Sequence, residues 1–338
     1  MSDTDKRWEL PTKPRTIRKF ERYPALRQNW DYSVKLLNHL SAKCVDSLSE
    51  NVETIAVAGS FGRLEGSHES DADYIMIVTD PGHSSIPKDN DVLQKAIKEY
   101  GVLPPNKSGV FSQPRSRSQL IDPIGKADEE VDELGKRMLL LLESRPIYRA
   151  DRFDEFLNEL FGRYSEYVSA DPDKEFTFLM NDLMRYFRYI CVNYQANFWR
   201  QNEKWALRNL KLRHSRILMY SGLLFLLGEA SKHRGPAKVA CVRDHLSHTP
   251  LERIGWVYEQ NHDGGFFRIL GLYNLFVSRL SDSDWRAKLK EVEYEDRYST
   301  AAFAEMKANS DAFIAEFVRF LFARRGQWSD RFYEYLFF

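Results

Sequence analysis

Two short apolar runs, Thr54–Val57 and Tyr74–Val78, flank a glycine turn, and this stretch constrains the fold more than any other part of the chain. Between them stand Ala58-Gly59-Ser60-Phe61-Gly62-Arg63-Leu64-Glu65 and then Ser70-Asp71-Ala72-Asp73. Apolar, partly β-branched runs of this length suit buried strands. The order is therefore strand, turn, short helix, loop, strand. Gly59 allows a backbone bend that a side chain would obstruct. Ser60 is placed to cap the following helix, whose unpaired N–H groups favour phosphate oxygens. Asp71 and Asp73 alternate at a strand start, so both carboxylates project to one side. Paired carboxylates opposite a phosphate-binding turn suit Mg²⁺, which is commonly held by one or two acids and the substrate's own phosphates. The plainer reading is a Gly-Ser turn followed by a solvated acidic loop. The full constellation at this spacing favours the metal-and-phosphate reading.

Through Gly59-Ser60, Gly62-Arg63, Glu65 and Ser70-Asp71-x-Asp73, the stretch resembles the active-site signature of the polymerase-beta-type nucleotidyltransferase superfamily. The GSxGRxE spelling with SDxD is similar to the branch holding the bacterial signal-protein uridylyltransferases and glutamine-synthetase adenylyltransferases. The resemblance implies that Gly59 and Ser60 grip a triphosphate and that Asp71 and Asp73 hold Mg²⁺ or Mn²⁺. It implies transfer of a nucleoside monophosphate from a nucleoside triphosphate to an acceptor hydroxyl, with release of pyrophosphate. A protein acceptor fits the resemblance, while RNA or a small molecule stays open. Arg63 either offsets phosphate charge or pairs with Glu65 to stiffen the turn, the structural role standing ahead. The superfamily supplies a third carboxylate from a later strand. Ser118–Ile121 is the candidate strand edge and Asp122 the nearest candidate catalytic acid, with Asp128 behind it and a simple Asp-Pro turn as the alternative. Ile124-Gly125-x-x-Asp128, leading to Leu142-Glu143-Ser144-Arg145, is also similar to the uridylyltransferases.

A second constellation is the basic run Lys204–Arg216. Arg208 and Lys211 share a helix face, joined by Lys204 one turn earlier. These three are candidate nucleotide-binding residues for a triphosphate tail; a solvated basic face is the competing reading. The match Lys204-x-x-Leu207-Arg208-Asn209-Leu210 resembles the glycine-leucine-arginine-aspartate-isoleucine segment of the same transferases' helical domain, departing from it at Ala206 and Asn209. Arg208 and His214 also resemble the arginine-to-histidine spacing of HEPN-type ribonucleases, a lesser alternative. A third reading keeps nucleotide binding without turnover, as in a sensor that reports to a partner.

The remaining sequence bounds these readings. The 338 residues carry no formal net charge, so bulk attraction to nucleic acid or membrane is not implied. Cys44, Cys191 and Cys241 show no zinc spacing and read as small buried hydrophobes. The opening residues lack an apolar leader, and the longest apolar stretch, Ser221–Leu227, is too short to span a bilayer, so a cytoplasmic protein without membrane contact is expected. Pro104–Gln119, with Lys107, Arg115 and Arg117, reads as a mobile lid or as a solvated loop. Apolar residues at helical spacing predict helices over 30–48, 91–100 and 131–142, and from Phe153 onward. Stripes at Leu183, Phe187, Ile190, Cys191, Tyr194 and Phe198, and at Phe313, Ile314, Phe317, Val318, Leu321 and Phe322, read as bundle core. The expected fold class is α+β: an N-terminal arm (1–24), a small mixed-sheet nucleotidyltransferase domain (25–148) and an all-α helical bundle (149–338). The aromatic C-terminus offers a contact surface for a second subunit, a homo-oligomer.

Overall fold

The structure is a computed structural model and describes residues 22–105, 111, 113–126, 129–200 and 205–337. Most of the expected arm, together with Lys107, Asp128 and Lys204, lies outside the described residues. In chain order the elements begin α1 (Pro24–Cys44), β1 (Val52–Val57), α2 (Gly59–Gly62), β2 (Tyr74–Val78), α3 (Ile86–Glu99), α4 (Arg117–Ile121) and α5 (Val131–Glu143). There follow β3 (Arg145–Tyr148), α6 (Ala150–Ala170), α7 (Thr177–Arg200) and α8 (Trp205–Lys211), which runs into a π-helical turn at Leu212–Arg216. The rest is α9 (Ile217–Ala230), α10 (Gly235–Arg243), α11 (Pro250–Gln260), α12 (Phe266–Leu280), α13 (Ser283–Lys290), α14 (Ala301–Ala323) and α15 (Asp330–Phe337). The fold is α+β with a helical bulk and one small sheet. No helix among the described residues is long and apolar enough to cross a membrane.

Among the described residues, Asn29–Asp182 and His233–Thr249 form one compact unit; residues 22–28, 183–232 and 250–337 form another. The boundary expected at 148/149 falls inside the first unit. There α6 packs on β1 and α10 packs on α6. Lys238 on α10 pairs with Glu175 at 3.0 Å, both buried.

In the first unit the strand order is β2-β1-β3 and both pairs are antiparallel. This corrects the mixed sheet expected from sequence. The reason lies in the connections. The segment 58–73 folds back so that Val57 pairs with Tyr74, and α5 ends beside the same turn, so β3 enters with Arg145 opposite Val57. A parallel bridge, Ile77 with Arg115, lies outside the named strands. All five residues of β2 are buried, which is why it reads as a continuous apolar run without alternation. On α6 the expected face, Phe153, Phe156, Leu157, Leu160, Phe161, Tyr164 and Val168, is buried throughout.

Residues 117–121 form a helix where a strand edge was expected. Ser116 and Gln119 make a capping box: the Gln119 N–H donates to Ser116 Oγ, and the Ser116 N–H donates to Gln119 Oε1 at 3.0 Å. Beyond it, fully buried Arg137 of α5 donates to Leu120 O at 3.1 Å and Asp182 Oδ2 at 3.0 Å, and pairs with Glu129. Tyr164 donates to the same Asp182 oxygen at 2.6 Å. A buried arginine surrounded this fully by acceptors fixes its neighbours in one arrangement.

The second unit has an aromatic core. α9 is apolar on every side and almost wholly buried, as such a helix must be. Tyr258 stacks on Phe320 with ring centroids 3.8 Å apart, and Phe225 packs against Phe317, Phe320 and Trp328. The buried face of α14 is Phe313, Glu316, Phe317 and Phe320, while Val318 and Phe322 are exposed. The stripe expected there is thus rotated. Buried Glu316 bonds Arg319, so an acid occupies a position that apolar spacing alone overlooks.

Candidate active site

The glycine turn of the first unit is built by three supports. The first is the sheet: the Ala58 N–H donates to Asp73 O at 2.9 Å, extending the β1–β2 ladder to the base of the turn. The second is α1, whose buried Asn29 and Ser33 lie one turn apart on one face. Asn29 Nδ2 donates to Glu65 O, and Ser33 Oγ accepts from the Gly66 N–H, both at 3.0 Å. The third is α5, which ends against α2. A Cβ on Gly62 would stand 2.0 Å from Glu143 O, so only glycine admits this approach.

Arg63 closes the assembly from inside. Only 6% exposed, it donates through Nε to Glu65 Oε2 at 2.8 Å and through Nη1 to Glu143 Oε2. The guanidinium is engaged by two buried carboxylates, which gives it the structural role of the two weighed and withdraws it from phosphate binding. Glu143 was not singled out as its partner. The signal was an acid that closes the apolar run Met138–Leu142 at the end of α5.

Gly59 has φ +67°, a conformation that side chains rarely adopt. A Cβ there would also stand 3.1 Å from Asp73 Oδ2, so the carboxylate lies directly over the turn. Asp71 is exposed, Ala72 buried and Asp73 half-buried, which puts both acids on the face away from the core. Asp71 bridges Leu103, and the Ala72 N–H donates to Leu103 O at 2.8 Å, so the segment presenting the acids is held from both sides. Gly59, Ser60 and Asp73 are therefore brought together, with Asp71 on the same face.

Several expectations are corrected. Ser60 does not cap α2: the N-cap position is Ala58, no side chain caps it, and α2 is a single turn from Gly59 to Gly62. Its N–H groups ahead of Gly62 have no acceptor within the helix, so what the turn offers an anion is local backbone rather than a long helix dipole. Asp122 stands exposed at the C-terminal end of α4, not on a strand. No group of three or more His, Cys, Asp or Glu able to hold a metal gathers among the described residues, so Asp122 does not join Asp71 and Asp73.

The arginines of the expected lid are tied down. Arg115 exchanges backbone bonds with β2 and pairs with Asp132 at 2.9 Å; Arg117 Nε donates to Glu53 Oε2 at 2.5 Å. The donor set that remains, two carboxylates on one face, suits a hard cation that brings its other ligands with it.

Arg208 and Lys211 belong to α8 in the second unit, with surroundings of their own. His214 follows in the π-helical turn and is fully buried. Asn309 Nδ2 donates to its Nε2 at 2.9 Å, so Nδ1 carries the proton and donates to Leu210 O, also at 2.9 Å. Its ring stacks on Phe276 at 4.1 Å, and burial pulls its pKa down to about 4. An imidazole enclosed in this way is core, not a ribonuclease acid or base. No protein-family model and no curated protein matches the chain.

Proposed function

We propose that the first unit is a metal-dependent nucleotidyltransferase. One observation carries the reading: the Asp73 carboxylate lies over the left-handed Gly59 bend, with Asp71 on the same face. Asp71 and Asp73 would hold Mg²⁺ or Mn²⁺, which supplies charge stabilisation at the transferred phosphoryl group. The backbone at Gly59 and Ser60 and the Ser60 hydroxyl bind and orient the triphosphate. An acceptor hydroxyl attacks the α-phosphorus and gives up its proton to water as the new P–O bond forms. The bond to the β-phosphate breaks, and pyrophosphate departs with the bonding pair. Positioning and electrostatics supply most of the acceleration in such transfers. Arg63, Glu65 and Glu143 keep the bend rigid under the incoming charge. The acceptor is a protein, an RNA or a small molecule bearing a free hydroxyl.

A sensor that binds the nucleotide without turning it over is the second reading, and the place of Asp122, exposed at the end of α4 rather than on a strand, favours it. Pyrophosphate release from each nucleoside triphosphate with Mg²⁺ or Mn²⁺, measured over fractionated cell lysate, separates the two. The transferase reading expects release and labelling of one acceptor, both lost in Asp73→Asn. Tight nucleotide binding with no release in any fraction would establish the sensor instead.

A further inference from the structure

The second unit contains a cavity of about 150 Å³ lined by Tyr194, Trp205, Arg208, Asn209, Leu212 and Tyr294. Its walls combine flat aromatic surface with two polar groups that the protein leaves unused. Arg208 Nη1 and Asn209 Oδ1 are both covered from solvent and have no hydrogen-bond partner. None of the described lining residues is acidic. Arg297 lies 3.8 Å from the centre of the Tyr294 ring, outside the cavity lining. Tyr258 Oη, Arg279 Nε, Trp285 Nε1 and Arg324 Nε of this unit are also covered and unpaired, but of these atoms only those of Arg208 and Asn209 belong to residues that line the cavity. Trp205 Nε1 donates to Val292 O at 2.8 Å, and Glu229 accepts from Trp328 Nε1 at 3.0 Å and Asn261 Nδ2 at 2.8 Å.

A covered guanidinium nitrogen with nothing to donate to is costly, since a charged donor needs an acceptor once water is excluded. Its natural complement is a carboxylate or phosphate oxygen, which the fork of the guanidinium suits. The unpaired Asn209 Oδ1 asks for an N–H. Trp205, Tyr194 and Tyr294 offer the surface against which a flat ring packs. We propose that this cavity binds a small aromatic anion. The Arg208 guanidinium takes the anionic head, Asn209 Oδ1 accepts from a ring or amino N–H, and the aromatic side chains enclose the ring. The site lies wholly within the second unit and does not depend on the reaction proposed for the first.

The test is calorimetric titration of the full chain with two series of ligands and inorganic phosphate as the head group alone. AMP and UMP represent a phosphate head; nicotinate and indole-3-carboxylate represent a carboxylate head. Saturable one-site binding of a member of either series supports the proposal, and the series that binds names the head. Arg208→Gln should weaken it by about ten-fold or more, and Asp73→Asn should leave it unchanged. The apo Arg208→Gln chain should melt no lower than the parent, because Arg208 has no partner to lose. Absence of binding in both series would overturn the proposal. So would phosphate binding as tightly as the aromatic ligands, binding abolished by Asp73→Asn, or a lower melting temperature in Arg208→Gln.

Discussion

Arg63 and Arg208 are both arginines on helical turns with guanidinium nitrogens covered from water, and the molecule treats them in opposite ways. Arg63 lies between two buried carboxylates, beneath a turn that α1 and α5 hold from separate sides. Arg208 borders a cavity, with one nitrogen covered and unpaired. The first arrangement spends its charge on shape. The second keeps a charge available at the expense of stability, which proteins commonly accept at sites that bind something. Helical spacing suggested nucleotide contact for Arg208, while for Arg63 phosphate contact stood behind a pairing with Glu65; the company each keeps separates them.

The contrast is sharpest in stability. Arg63→Met should cost about 3–5 kcal/mol, because it leaves Glu65 and Glu143 buried without their counter-charge. Urea unfolding measures this, and adding Glu143→Leu should restore part of the loss. A cost near zero would mean that the triad does not hold the turn.

His214 extends the rule into the second unit, where a buried, doubly bonded ring should also behave as structure. Its pKa falls from 6.5 to about 4 in the folded chain, so the unfolded chain takes up the proton first. The stability that the neutral ring contributes is complete above pH 6.5 and is lost as the pH falls toward 4, a contribution on the order of 3 kcal/mol. Comparing unfolding free energies of the parent and His214→Gln between pH 7 and pH 4 isolates this slope. A slope unchanged by the substitution would remove His214 from the account.

Gly62→Ala tests the approach of α5 to the turn. The added methyl meets a backbone carbonyl that cannot swing aside, and about 1–3 kcal/mol should be lost. Arg208→Gln stands at the other end of the scale. Without ligand it should leave stability unchanged or raise it. Equal losses in Arg63→Met and Arg208→Gln would erase the distinction between the two arginines.

How much of this was legible in the sequence varied with the range of the interactions involved. β1, β2 and the turn were readable because their signals are local: apolar runs, a glycine that must bend, acids on alternate positions. The capping box at Ser116 and Gln119 was equally local, yet the resemblance asked for a third acid on a later strand, so 118–121 was read as a strand edge and Asp122 was drawn into the site. Long-range partnerships left no such trace. That Arg63 meets Glu143, and that Asn29 and Ser33 of α1 carry the backbone at 65–66, depends on packing between distant segments. The basic run at 204–216 shows the same limit. Charge singled out Arg208, and a resemblance in arginine-to-histidine spacing singled out His214, while packing enclosed His214 completely and left Arg208 beside a cavity. The unit boundary escaped detection because α6 and α10 look like bundle helices from their periodicity, though their apolar faces pack with the first unit.

The account's central claim is that Asp71 and Asp73 hold a divalent cation over the Gly59 bend. Manganese binding, followed by electron paramagnetic resonance on the full chain with and without a nucleoside triphosphate, tests it most directly. The account predicts one bound Mn²⁺ whose affinity rises with nucleotide and falls by about ten-fold or more in Asp73→Asn. Manganese binding that is indifferent to both the nucleotide and Asp73 would contradict it.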